Sequence, residues 1–268
     1  MPFFGFDSYN LLTSGLIIVA IQIVFFIFAS ALKTDKVTDL SYSMTFVVMA
    51  LILLFTGAQY AVPQLLIALL ITAWGLRLGG YLFLRIIRLK KDDRFDGIRE
   101  NPLSFAGFWF LQAITIWLVL LPSTIVLSMQ SALSVSVLTW IGAALWAIGF
   151  VIETVADAQK YRFRNDPSHK GKWIDRGLWR ASRHPNYFGE MLCWWGLFLI
   201  AVPHLEGMMM LSILGPIFIT FMLLFVSGVP TVEKKAQDKY GDNPEFLAYK
   251  NRTSILVPLP PKSNKSIH

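Results

Sequence analysis

Cysteine is almost absent from this chain of 268 residues, and the one present, Cys193, excludes an intrachain disulfide and a cysteine-based zinc site. As a small apolar residue in a helical stretch it is expected to be structural. Charge is scarce too. Only 15% of residues are charged, against roughly 25% in soluble domains, while 55% are hydrophobic and 14% aromatic, which excludes an ordinary water-soluble fold. No GxGxxG, GxxxxGK[ST] or HExxH motif occurs, and His169, His184, His204 and His268 are too scattered for a metal cage. Any nucleotide must therefore be held without a Rossmann or P-loop unit. Internal repeats and low-complexity segments are missing, and with them the inverted repeat of many transporters. Met1 to Asn10 has no basic stretch, so the first apolar run is expected to remain as a helix.

What is present is a series of apolar runs. A span needs about 20 mostly apolar residues, and seven stretches approach that: Leu11–Leu32, Leu40–Thr56, Val62–Ile87, Leu103–Leu127, Leu133–Val155, Tyr187–Val202 and Gly207–Gly228. The sixth is short and abuts Pro203, so a tilt, a kink or a shallow start is expected there. Loops Gly57–Ala61, Ser128–Ala132 and Pro203–Glu206 contain no Lys or Arg, and all but one of the 24 basic residues fall on the alternate side. This alternation predicts an all-α polytopic membrane protein of seven transmembrane helices, N-terminus outside and C-terminus cytoplasmic. The expected organisation is one membrane domain over residues 1–258 with a disordered tail at 259–268. The net charge of +7 is accounted for by the positive-inside bias and needs no nucleic acid as partner.

The remaining basic residue is Arg77, in the middle of the third run, where a charge costs about 2.5–3.5 kcal/mol and needs a partner or a hydrated cavity. Trp74, Arg77, Tyr81, Arg85 and Arg88 follow at steps of three and four, which puts them on one helical face. Arg85 and Arg88 lie close enough to the interface to snorkel. Glu153, Asp157, Lys160 or Tyr161, and Arg164 make a second such face, either locally paired or functional. The polar stretch from Lys160 to Asn186 is long for a compact domain and ends in the densest chemistry of the chain, Arg183-His184-Pro185-Asn186-Tyr187-Phe188-Gly189-Glu190. Pro185 suits the first turn of the sixth span, which places Glu190 inside its apolar run.

That cluster, with Asp175 to Trp179 before it and Lys239-Tyr240-Gly241, Tyr249 and Ile255 to Pro258 after it, resembles the membrane steroid 5α-reductase superfamily, most nearly its bacterial branch. The Asn-Tyr-Phe-Gly-Glu element also resembles isoprenylcysteine and phospholipid methyltransferases, which use S-adenosylmethionine. The reductase resemblance implies a bacterial inner-membrane oxidoreductase. NADPH would enter from the cytoplasm and reduce a conjugated C=C bond of a steroid or steroid-like enone drawn from the bilayer. It implies that Asn186 and Glu190 hold the nicotinamide half, that Arg77, Tyr81 and Arg88 contact the cofactor from the third helix, and that Arg85 stands where the family often has Asn. Asp157 and Arg164 match contacts to the nucleotide. Lys172 falls where an Arg is usual, and Glu233, Arg183 and His184 complete the implied cofactor site. The acid on the second helix is best matched by Asp39, with Tyr42 one turn on, and these two are the expected catalytic pair. Burial would keep Asp39 protonated as a proton source; the alternative is a helix cap. The third-helix tyrosine of the family falls on Trp74, so either Tyr42, Tyr60 or Tyr187 supplies the phenol or the substrate differs.

Overall fold

The computed structural model describes residues 5–57, 59–89 and 97–262, with backbone only at 87–89. These residues are all-helical apart from an isolated parallel bridge between Ser182 and Ser254. Among the described residues six helical stretches are long and apolar enough to cross a membrane. Five are α1 (Leu11–Ala31), α2 (Thr38–Gly57), α3 (Val62–Leu89), α4 (Pro102–Ser128) and α5 (Val137–Asn165), the apolar part of α3 ending at Ile86. After the short α6 (Leu178–Ala181) comes α7 (Pro185–Ala201). The sixth stretch, Gly207–Tyr240, contains α8 (Leu214–Phe221) and α9 (Val229–Tyr240), and α10 (Pro244–Arg252) follows.

The difference from the expected seven lies at α7. Its 17 residues reach about 26 Å at 1.5 Å per residue, short of the ~30 Å hydrocarbon core. The helix stops because Val202–His204, with Pro203 at its centre, tightens into a 3-10 turn. Of the basic loop after α3, Lys90, Lys91 and Arg94 lie outside the described residues, as do 263–268. Where disorder was expected from Leu259 onward, the Leu259 amide donates to the Ala181 carbonyl at 3.1 Å and the Lys262 amide to the Arg252 carbonyl at 2.9 Å.

The chain forms two compact units where a single domain was expected. One is Met1–Ala143 with Leu197–Phe218, the other Ala144–Gly196 with Ile219–His268. The first is built on α1 to α4. Glycines bring α3 against α2: a Cβ at Gly75 would stand 2.5 Å from a Val47 methyl, and one at Gly79 2.6 Å from the Ser43 hydroxyl. Small residues are how membrane helices approach closely without a hydrophobic driving force. Above them Tyr42, Phe46 and the fully buried Trp74 meet edge to face, at ring separations of 5.1 and 5.3 Å. Polar side chains also join these helices. Gln112 Nε2 donates to Gln22 Oε1 at 2.7 Å and Gln22 Nε2 to Thr45 Oγ1 at 2.9 Å, all buried.

The second unit holds most of α5, most of α7, and α9 and α10. Here Gly149 and Gly189 cross back to back: a Cβ on Gly189 would lie 2.6 Å from the Gly149 carbonyl oxygen. A π-helical turn at Met222–Val226 and then Gly228, whose Cβ would strike the Leu223 carbonyl, redirect the chain into α9. Asn243 caps α10 by accepting from the Glu245 and Phe246 amides.

Candidate functional site

The expected site residues divide between the two units. In the first, Arg77, Tyr81 and Arg85 lie half-buried along one face of α3, four residues apart. Arg88 continues that helix, and its side chain lies outside the described residues. Asp39 sits in the first turn of α2, where a carboxylate favours the helix N-terminus. Its Oδ2 accepts from Arg85 Nη2 at 3.0 Å, with both side chains about a quarter exposed. Held by a guanidinium, Asp39 is an ion-pair acceptor, which does not fit a proton source; and since it lies one residue inside the helix, it is not the cap residue either. Tyr42 lies half-buried one turn further on and packs edge to face on Phe46.

In the second unit the sequence Arg183-His184-Pro185-Asn186 forms the entry to α7, and Glu233 on α9 is brought to it. Glu233 Oε2 accepts from Arg183 Nη1 at 2.7 Å, and Lys250 Nζ stands 3.8 Å from the same oxygen. The other oxygen, Oε1, is 2.9 Å from His184 Nε2. A carboxylate only accepts, so Nε2 carries the proton. His184 is 2% exposed, and burial pushes its imidazole below its usual range against the opposing pull of Glu233; Lys160 and Arg183 add to the lowering. The ring is therefore neutral, and it stacks parallel on Tyr187 at 5.4 Å.

In the first turn of α7, Asn186 presents a buried Oδ1 with no hydrogen-bond partner, and Arg183 Nε is a buried donor in the same condition. Each such atom is expensive unless something else satisfies it. Glu190 is half-buried on the next turn, and Glu153 and Asp157 on α5 are buried and engaged. Arg164 and Lys172 stand exposed to solvent, and the Lys172 carbonyl accepts from the Tyr240 hydroxyl at 3.1 Å. Among the described residues no His, Cys, Asp or Glu side chains group as a metal site needs.

Sequence reasoning missed what positions this cluster. Ser182, fully buried, donates from its hydroxyl to the Leu256 carbonyl at 2.5 Å and accepts from the His184 amide at 3.1 Å, while the Arg183 amide donates to the Ser254 carbonyl at 2.8 Å. Thus residues 253–262 strap the loop that carries Arg183 and His184. The Tyr249 hydroxyl donates to the Trp179 carbonyl at 2.7 Å, and burial raises its ionisation well above the usual range. The polar run Arg180 to Asn186 and the resemblance at Tyr249 and Ile255 to Pro258 signalled that something lay here, but backbone acceptors 70 residues away leave no mark of the pairing in a sequence.

Among known proteins, an uncharacterized protein of Schizosaccharomyces pombe is 25% identical over 241 residues, covering 76% of this chain and 67% of the relative. No solved structure matches. The profile described as "Protein of unknown function (DUF1295)" matches residues 25–253, which takes in parts of both units and Arg183, His184, Asn186 and Glu233 and stops where the strap begins, and the chain belongs to that family.

Proposed function

We propose that this protein is a membrane-embedded oxidoreductase related to the steroid 5α-reductases, using NADPH to reduce a conjugated C=C bond of a hydrophobic, steroid-like enone. The observation that carries the reading is the pair of buried, unsatisfied atoms beside the Arg183–His184–Glu233 cluster: an acceptor, Asn186 Oδ1, and a donor, Arg183 Nε. A nicotinamide carboxamide has an NH2 group and a carbonyl, which complement an acceptor and a donor in turn. The exposed Arg164 and Lys172 are of the type that binds phosphates. The residues present therefore fit the group. NADPH would supply the hydride.

The protein's share of the work follows from charge. Hydride arriving at the β-carbon leaves negative charge on the enone oxygen, so a hydrogen-bond donor in a dry site is required. Tyr42, the phenol of the expected catalytic pair, is proposed to supply it. Glu233 fixes the Nε2–H tautomer and orientation of His184 and the plane of the Arg183 guanidinium, so that Arg183 Nε and Asn186 meet the ligand preorganised. The proposed setting is a bacterial inner membrane crossed seven times, α7 counted as a shallow span, with the N-terminus outside and the basic loops in the cytoplasm.

Thermal unfolding of the detergent-purified chain with added nucleotides tests the reading. NADPH is expected to stabilise well above NADH or S-adenosylmethionine, and Arg164→Ala to reduce the difference. Stabilisation by S-adenosylmethionine alone would make this a methyltransferase, the alternative that the Asn186-Tyr187-Phe188-Gly189-Glu190 element also resembles. Stabilisation by neither, with sterol binding retained, would make it a binding or transport protein. A cysteine at Ser131, exposed after α4, should label from outside intact cells, and one at the exposed Ser168 only after the membrane is opened.

A further inference from the structure

At the opposite end of the first unit from Asp39 and Arg85 lies a cavity of about 640 Å³, within the range of small-molecule sites. Tyr9 before α1, Gln130 and Ser131 after α4, and His204, Glu206 and Met209 after α7 line it. Among the described residues no Lys or Arg does, in a chain with 24 of them.

The sign of its field can be worked out from the backbone. α4 ends at Ser128, on the cavity wall, and a helix C-terminus carries roughly half a negative charge. The N-terminus of α1 is nearby, and it would offset this were it bare. Asp7 covers it, however, accepting from the Leu12 and Thr13 amides at 3.3 and 2.8 Å. The exposed Glu206 adds a full negative charge. An anion is therefore repelled and a cation attracted. Two further features fit a cation carrying N–H groups. Burial lowers His204 below its usual range, leaving a neutral ring, and its Nε2 is buried without a partner, a free lone pair when the proton sits on Nδ1. The Tyr9 ring and the Met209 thioether are polarisable surfaces of the kind that accommodate organic ammonium groups.

We infer that this cavity binds a small ligand bearing an ammonium group, with Glu206 as counter-ion and His204 Nε2 as acceptor. The chemistry is shared by the headgroup of an aminophospholipid and by a free amine. The inference stands apart from the reductase reading, because none of its residues belongs to the proposed nicotinamide site.

Ethanolamine is the probe, titrated into the full chain in detergent at constant ionic strength and near-neutral pH, with ethylene glycol and inorganic phosphate as controls. Saturable binding of ethanolamine alone is expected, weakened about tenfold or more by Glu206→Gln and by His204→Phe. Glu206 is exposed, so its variant should unfold at the wild-type temperature and keep the test clean if the His204 variant folds poorly. Equal binding of ethylene glycol, binding of phosphate, no saturable binding, or unchanged affinity in Glu206→Gln would each overturn the inference. Where ethanolamine binds, nanodiscs of phosphatidylcholine with and without phosphatidylethanolamine assign the source. Weaker apparent affinity in the presence of the aminophospholipid identifies a lipid headgroup, and equal affinity identifies a free amine.

Discussion

Both units bury clusters of polar side chains, yet the two clusters are built on different terms. In the first unit Gln112 and Gln22 share a bond, and the Gln112 amide also reaches Ser41 Oγ at 3.2 Å, so its donors are matched by acceptors within the unit. In the second, Arg183, His184 and Glu233 are matched to each other, but Asn186 Oδ1 and Arg183 Nε are left over. A closed polar cluster fixes helix register. The atoms left over in the second unit are the ones that the proposed ligand would satisfy.

The comparison breaks hardest at Glu233. Its removal in Glu233→Ala leaves the Arg183 guanidinium and Lys250 without their anion. The expected loss is about 2–4 kcal/mol by thermal unfolding, at the low end for a broken buried pair because Glu233 is 20% exposed. Arg183→Ala and the double variant should cost about the same as either alone, the non-additivity expected of one network. Next is Gly189→Ala, whose methyl must find room 2.6 Å from the Gly149 carbonyl and 2.7 Å from the Glu153 amide nitrogen. Overpacking of this kind costs about 1–3 kcal/mol, and Gly107→Ala, where nothing lies within 4 Å, serves as the neutral control.

Acidification should separate the clusters as well, because only the second contains a buried imidazole. His184 is depressed in the folded state relative to its ordinary 6.5, so the unfolded chain binds the extra proton first as pH falls. Its contribution is fully present above pH 6.5 and is lost as pH falls through the lower folded value, by at most about 1.4 kcal/mol per pH unit. His184→Gln should flatten that part of the stability profile. In the closed cluster Gln112→Leu should cost about 1 kcal/mol, as hydrogen bonds between membrane helices usually do, with nucleotide binding unchanged. The smallest stability effect belongs to Asn186→Leu. Deleting an acceptor that has no partner should shift unfolding by under about 0.5 kcal/mol, yet abolish stabilisation by NADPH. A large loss of stability without a change in nucleotide binding would remove Asn186 from the site.

Much of the helical layout was legible because apolar runs of membrane length have few other uses, and Pro203 announced why α7 would be short. Arg77, Tyr81 and Arg85 could be placed on one face from spacing alone. Asp39 could not be read correctly, because its partner Arg85 is 46 residues away and nothing local distinguishes an ion-paired Asp from a buried acid. The division into two units was hidden for a related reason. The change at Ala144 falls inside the apolar run Leu133–Val155, so no local change of composition marks it. The strap at 253–262 acts largely through backbone carbonyls and amides, which every residue carries, and so has no side-chain signature.

That strap also sets an order of events. A polypeptide is made from its N-terminus, and the helices from α1 to α9 are available for insertion before Ser254 and Leu256 exist. The Ser182 hydroxyl and the Arg183 amide find their acceptors only on those late residues. The loop bearing Arg183 and His184 therefore takes its final form at the end of synthesis. A chain halted just after α10 would have inserted its helices while its proposed cofactor site had never been assembled.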